Sequence, residues 1–287
     1  MRLNNFFLGI IFSVILISCS TSKKINTEIE KHFYTIKNSD FDSLSVDSFL
    51  KKLSHLSLSE REDSLINYMS KGWMPAYNFS FKKISFEHKN ASGKKIKVSF
   101  WAAPDYLSIG KNENFVRMPL SPQAAQVLAD QFHCVLPTTK MVDEIYKTAK
   151  LKLAPIPLTE KRDSLISFIA HNKLIKAQLV KKIPNEIVVG IKKDVVQSTA
   201  VLNHPKPNRV VIYGWHKLDG KPIQPLFAGH VDWYVDYSHG IRLIYEKMLI
   251  NNKIYFVKDV LNNPELAETI CDDTICSMMR YKKREID

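Results

Sequence analysis

The sequence predicts an α+β protein, and three observations carry that expectation. Helical periodicity comes early, period-two alternation follows between Asn78 and Ala103, and strand-like runs gather late instead of alternating regularly with helices. A chain of 287 residues with 45% hydrophobic content can build a substantial core. The expected organisation is an export signal peptide at 1–19, a tether with an emerging helix at 20–35, and a single α+β domain at 36–287 with an N-terminal helical extension.

The first segment has Arg2 in a short polar head, an apolar run from Phe6 to Ile17, and small residues around Cys19. That run is short for a bilayer span and fits an export signal. Leu16-Ile17-Ser18-Cys19 is similar to the bacterial lipoprotein box, which implies cleavage before Cys19 and lipidation of its thiol. Ser20 behind the cysteine implies the outer membrane, with the protein expected to face the periplasm. In that oxidising compartment Cys271 and Cys276 are close enough in sequence to pair, leaving Cys134 as a buried or reactive thiol. The formal net charge of +12, spread in basic pairs such as Lys23-Lys24, Lys181-Lys182 and Lys192-Lys193, suits an anionic polymer or a membrane surface, with a solvated charged surface as the alternative. No nucleic-acid recognition motif is present, so nucleic acid is not an expected partner.

The elements then follow in order. Ser45 to Leu56 predicts an amphipathic helix with Val46, Phe49, Leu50 and Leu53 on one side, and a second starts at Ser59, where Ser59 and Glu62 have capping-box spacing. Ile84 and Phe86, then Asn90-Ala91-Ser92-Gly93, then Ile96, Val98 and Phe100 predict a hairpin. Ser121-Pro122 opens a helix with a cap and a first-turn proline, and Thr138-Thr139 caps another from Lys140 to about Lys150. A stiff Ala154-Pro155-Ile156-Pro157 connector leads to a longer helix over about Thr159 to Lys181. Short strands at Ile187 to Val189 and Lys193 to Val196 begin a late antiparallel or mixed sheet, packed with helices.

The functional signal lies between Asn208 and Leu243, where His216, His230 and His239 crowd together with Asp232, Asp236, Tyr234, Ser238 and Arg242. If 230–238 is a strand, His230, Asp232, Tyr234, Asp236 and Ser238 share a polar face and Val231, Trp233, Val235 and Tyr237 an apolar one. Glycines at 214, 229 and 240 permit close backbone approach around it. His230, Asp232, Asp236, Ser238, His239 and His216 are the candidate catalytic set, with Tyr234, Trp215 and Arg242 as candidate substrate contacts. Imidazole titrates near neutrality and a neighbouring carboxylate can orient it as a general base. The same residues allow zinc at His230, Asp236 and His239, but no zinc spacing is met, and neither a metal nor another cofactor is expected. A third possibility is binding without catalysis, with Trp215, Trp233, Tyr234 and Tyr237 as an aromatic platform for a glycan or peptide.

Ser238-His239-Gly240-Ile241-Arg242-Leu243 is similar to the signature of bacterial L,D-transpeptidases, which cross-link cell-wall peptides, and His216 in Tyr213-Gly214-Trp215-His216 sits where those enzymes place a second histidine. The nucleophilic cysteine of that signature, between the glycine and the isoleucine, has no counterpart here. A fainter similarity to cell-wall cysteine amidases implies Cys134 as thiol and Gly229-His230-Val231 as the histidine strand. Leu136-Pro137-Thr138, Met141-Val142-Asp143 and Pro222-Ile223-Gln224-Pro225-Leu226 resemble segments of a group of secreted bacterial (lipo)proteins, which implies a shared fold and site but no particular activity. The expected function is an envelope lipoprotein, acting as a hydrolase or transferase on peptidoglycan or another anionic envelope polymer, or else binding it.

Overall fold

The computed structural model describes residues 20–34, 36, 41, 43–179 and 186–283; the leader with Cys19 and the Lys181-Lys182 pair lie outside them. Along the chain come helix α1 (20–34), α2 (Val46–Leu53), α3 (Leu58–Ser70), strands β1 (Lys82–Lys89), β2 (Lys95–Ala102), β3 (Ser108–Gly110) and β4 (Phe115–Arg117), then α4 (Pro122–Gln131) and β5 (Cys134–Val135). There follow α5 (Thr139–Thr148), β6 (Leu151–Lys152), α6 (Leu165–Gln178), β7 (Val188–Val189), β8 (Lys193–Val195), β9 (Arg209–His216) and β10 (Pro222–Val231). The last are β11 (His239–Gly240), β12 (Ile244–Tyr245), β13 (Lys247–Ile250), β14 (Lys253–Phe256) and α7 (Val257–Leu261). The fold is α+β, with helices packed on largely antiparallel sheets.

The late strands divide between two sheets instead of forming one. β12, β13 and β14 join β5 and the early hairpin, with β2 holding β1 on one side and β12 and β13 on the other. The second sheet runs β10-β9-β8-β11 and is mixed, since β11 lies parallel to β8. The segment 239–245 therefore passes from one sheet to the other, and its connecting residues are pinned by Leu107 N–H to Ile241 O and Ala103 N–H to Leu243 O, both at 2.8 Å. This crossing puts the candidate residues at the junction of the two sheets.

Residues 20–34 are a helix, not a tether. Ile25, Ile29 and Phe33 recur at helical spacing and are buried in the main core, and Asn26 accepts a bond from the indole of Trp101. The capping box of α3 lies two residues before the expected one: Ser57 accepts from Glu60 N–H and Glu60 reaches back to Ser57 N–H at 2.9 Å. Glu62, the expected partner, is buried and accepts both the N–H and the hydroxyl of Ser121, tying α3 to the start of α4. The hairpin turn and the caps of α4 and α5 fall where expected, at Asn90 to Gly93, Ser121 and Thr138. The long helix α6 starts at Leu165, later than Thr159, because Ser164 supplies the cap.

Cys271 and Cys276 are joined by a disulfide, and Cys134 is the free cysteine among the described residues. No helix among them is long and apolar enough to cross a membrane.

Candidate functional site

The stretch 230–238 is not one strand, since only His230 and Val231 belong to β10. β10 ends at Val231 in a turn closed by Tyr234 N–H to Val231 O at 3.0 Å, and a second turn follows where Asp236 takes the N–H of Ser238 at 2.7 Å and its hydroxyl at 2.5 Å, a local carboxylate turn that competes with sheet pairing. The expected two faces are accordingly absent. Trp233, assigned to the core by alternation, is 57% exposed, whereas Asp236 and Ser238, assigned to a polar face, are fully buried.

One neighbourhood nevertheless forms from the crowded residues. The rings of His230 and Tyr234 lie 4.7 Å apart, and each is 6.0 Å from the ring of His239. His230 and Tyr234 are half-buried at the surface, and His239 is buried below them with no partner for its Nε2. Beside it, Asp236 receives the Arg162 guanidinium at 2.8 Å. Lys193 stands next to His239 through the parallel β8–β11 register, with its ammonium 5.9 Å from the centre of the Trp215 ring. Lys192 donates to the Tyr237 carbonyl.

The electrostatics of this cluster follow from burial. Burial pushes His239 down to about 4, with Lys193, His230 and Lys192 adding to the effect and Asp236 opposing it. Burial also lowers His230, against the pull of Asp236, so both imidazoles are neutral near pH 7. Burial lowers Lys193, opposed by Asp236, and brings Lys192 down to about 7 with the help of Arg117. Asp236 pays for burial, but His239, the two Ser238 bonds and Arg162 hold its carboxyl below the usual range.

Other expected members go elsewhere. His216 bonds to Asp143 at 2.9 Å and stacks on Tyr146 at 4.5 Å, in a narrow cleft against α5. The two groups are separated by a reversal in β9, where Gly214 and Trp215 both have positive φ, 96° and 55°. After it, Trp215 packs with Lys193, His171 and Tyr237, while His216 joins Tyr213 and Asp143. Arg242 is a buried clamp, donating to Ala103 O and Val188 O at 2.7 Å each and lying over the Tyr106 ring at 4.4 Å. It faces Asp194, which burial raises to about 6 and which accepts from the Tyr106 hydroxyl. Asp232 accepts from Gln123 on α4. Trp215 is 3% exposed and Tyr237 1%, so they make no aromatic platform with Trp233.

Cys134, on β5, donates to Phe132 O at the end of α4, and burial with the nearby Glu246 carboxylate pushes its thiol well above the usual range. Its cleft is lined by His133 and Glu246 and by neither His230 nor His239, so thiol chemistry with those histidines has no geometric basis. Among the described residues no three His, Cys, Asp or Glu side chains converge to hold a metal ion. Asp236, the proposed carboxylate ligand, spends both oxygens on Ser238 and Arg162.

Sequence reasoning missed Arg162, Lys192 and Lys193. A signal existed for the lysines: a charged Lys192-Lys193-Asp194 triplet interrupts the apolar run from Ile187 to Val196, and all three are less than 8% exposed. No protein-family model matches the chain, and no curated protein or solved structure matches it.

Proposed function

We propose that the protein is a lipid-anchored envelope hydrolase, or a transferase of the same chemistry, acting on peptidoglycan or another anionic envelope polymer from the periplasmic face of the outer membrane. The observation that carries the chemistry is a pair of neutral histidines, His230 at the surface and His239 beneath it, flanked by the Arg162 and Lys193 cations. In this scheme His230 takes a proton from the attacking water or acceptor, and the cations stabilise the developing oxyanion. Hydrolysis is favoured over covalent transfer because the Ser238 hydroxyl is committed to Asp236 and Cys134 lies on another sheet. The net charge of +12 supports an anionic polymer as partner.

The test incubates purified protein and its His230→Ala variant with cell-wall fragments, with and without a chelator. Cleavage by wild type, lost by at least about a hundredfold in the variant and unaffected by chelation, is the expected result for a general base. Loss on chelation points to zinc. Fragments that bind but stay intact would leave a glycan- or peptide-binding lipoprotein, a reading that the exposed Trp233 favours.

A further inference from the structure

Three polar groups in the candidate site have no protein partner. The Lys193 ammonium, on a residue 7% exposed, makes no side-chain hydrogen bond or ion pair among the described residues; it lies over the Trp215 ring and feels the Asp236 carboxylate without touching it. His239 is 1% exposed and its Nε2 is unpaired. The Nε of Arg162 is buried and unpaired, although the far nitrogen of the same guanidinium holds Asp236. Buried polar groups are normally satisfied, so the unpaired His239 Nε2 and Arg162 Nε mark a place where a ligand atom is missing.

The charges do not balance either. Arg162 and Lys193 flank one buried carboxylate, Asp236, with Lys192, which burial brings down to about 7, behind them; Asp163 is the other acid that Tyr234 feels, and it is exposed. Arg117, which also acts on Lys192, is already neutralised by Asp105 at 2.6 Å. A positive excess therefore remains where the site opens to solvent between His230, Tyr234 and Arg162, whose side chain is 40% exposed. A ligand carrying negative charge fills the missing partners. Asp236 sits in the same cluster and repels a second negative charge, which favours a single carboxylate over a phosphate dianion.

We propose that this cluster is the receptor for one free carboxylate of the substrate, held by the Lys193 ammonium and the Arg162 guanidinium beside His239. The proposal rests on the proposed function of the same site and names its substrate class: a peptide end or side branch with an unblocked carboxyl group. Main-chain geometry supports it, since Lys193 N–H is tied to Ser238 O at 2.8 Å and the lysine is thereby fixed beside the Asp236 turn. The binding group is preorganised on a strand.

Calorimetry on the purified full-length protein tests this with three probes: N-acetyl-alanyl-alanine, its C-terminal amide, and inorganic phosphate. The free acid is expected to bind about tenfold or more tighter than the amide, as for a charge-assisted bond, and tighter than phosphate. Lys193→Met should reduce acid binding to the level of the amide while the melting temperature holds or rises, because a cation that burial disfavours and that no protein group hydrogen-bonds has been removed. That opposition of binding and stability is not expected of a structural lysine. Lys193→Arg, which keeps the cation, should retain discrimination and serves if the methionine variant does not fold. Equal binding of acid and amide, no binding of any probe, tighter phosphate binding, or unchanged acid binding in Lys193→Met overturns the proposal. Discrimination without cleavage of cell-wall fragments would sink the catalytic reading and keep the carboxylate site, whereas cleavage indifferent to amidation would do the reverse.

Discussion

His239 and His171 are buried as neutral rings, with burial lowering the first to about 4 and the second to about 3 from an ordinary 6.5. On unfolding below pH 6.5 both take up a proton, so their contribution to stability is complete above that pH and is lost as the pH falls towards the folded values. Asp194 works the other way. Its folded value of about 6 lies above the ordinary 3.8, so it releases a proton on unfolding between those limits. Between pH 6 and 4 the two histidines take up more protons on unfolding than Asp194 releases, so these groups together lower stability on acidification. Urea unfolding across that range checks the sign, and His239→Asn should make the slope shallower. A slope unchanged in the variant contradicts the assignment to His239. His239 and Asp236 stood out in the sequence because their side chains are rare in strand-like runs, whereas His171, within a helix, and Asp194 did not. Lys193 did not, since a Lys-Lys pair reads as solvated surface until the sheet on either side of it is known. Arg162 lies 74 residues from Asp236, and no local pattern links them.

At the scale of elements, local chemistry was legible and long-range pairing was not. The caps at Ser121 and Thr138 and the turn at Asn90 to Gly93 depend on neighbours a few residues apart, which the sequence displays directly. Where two local signals competed, as at Ser57-Glu60 and Ser59-Glu62, spacing alone could not choose; the demand of Ser121 for a buried carboxylate from Glu62 decided it. Ser57→Ala is expected to cost about 1 kcal/mol in denaturant unfolding. The failure at 230–238 has the same character, because an aspartate two residues before a serine can make a turn as well as a strand edge. In β9 the reversal needs Gly214, whose φ of 96° strains any other residue and whose added Cβ meets Val142 at 3.2 Å. Gly214→Ala should therefore destabilise by on the order of 2 kcal/mol. It should also disturb the His216–Asp143 pair, visible as a shifted imidazole resonance, since that histidine's direction depends on the reversal. An unshifted resonance would mean that the reversal is set elsewhere.

For the whole molecule, the decisive fact is where α1 sits. Apolar residues at 25, 29 and 33 carried a helical period that the polar composition between them obscured, which is why 20–35 reads as a tether in sequence. Phe33 stacks among Phe79, Phe81 and Phe132, and Glu28 pairs with Lys247 on β13, so the helix binds the early hairpin to the late strands. Phe33→Ala should cost about 3 to 5 kcal/mol of global stability, a core-sized loss that a flexible leader could not produce. If Cys19 carries lipid, the docked helix starting at residue 20 leaves almost no slack between the membrane and the folded body. The exposed Lys23, Lys24 and Lys31 on that helix would then meet an anionic headgroup layer directly. Each basic residue near such a surface contributes about 1 kcal/mol, so charge supplements the acyl chains. Replacement of Cys19 by serine is expected to release the protein from membranes in fractionation at physiological salt, with weak association returning at low salt. Changing the three lysines to glutamine in that variant should abolish the residual association. Full membrane retention of the Cys19→Ser protein at high salt would show that neither lipid nor charge is the anchor.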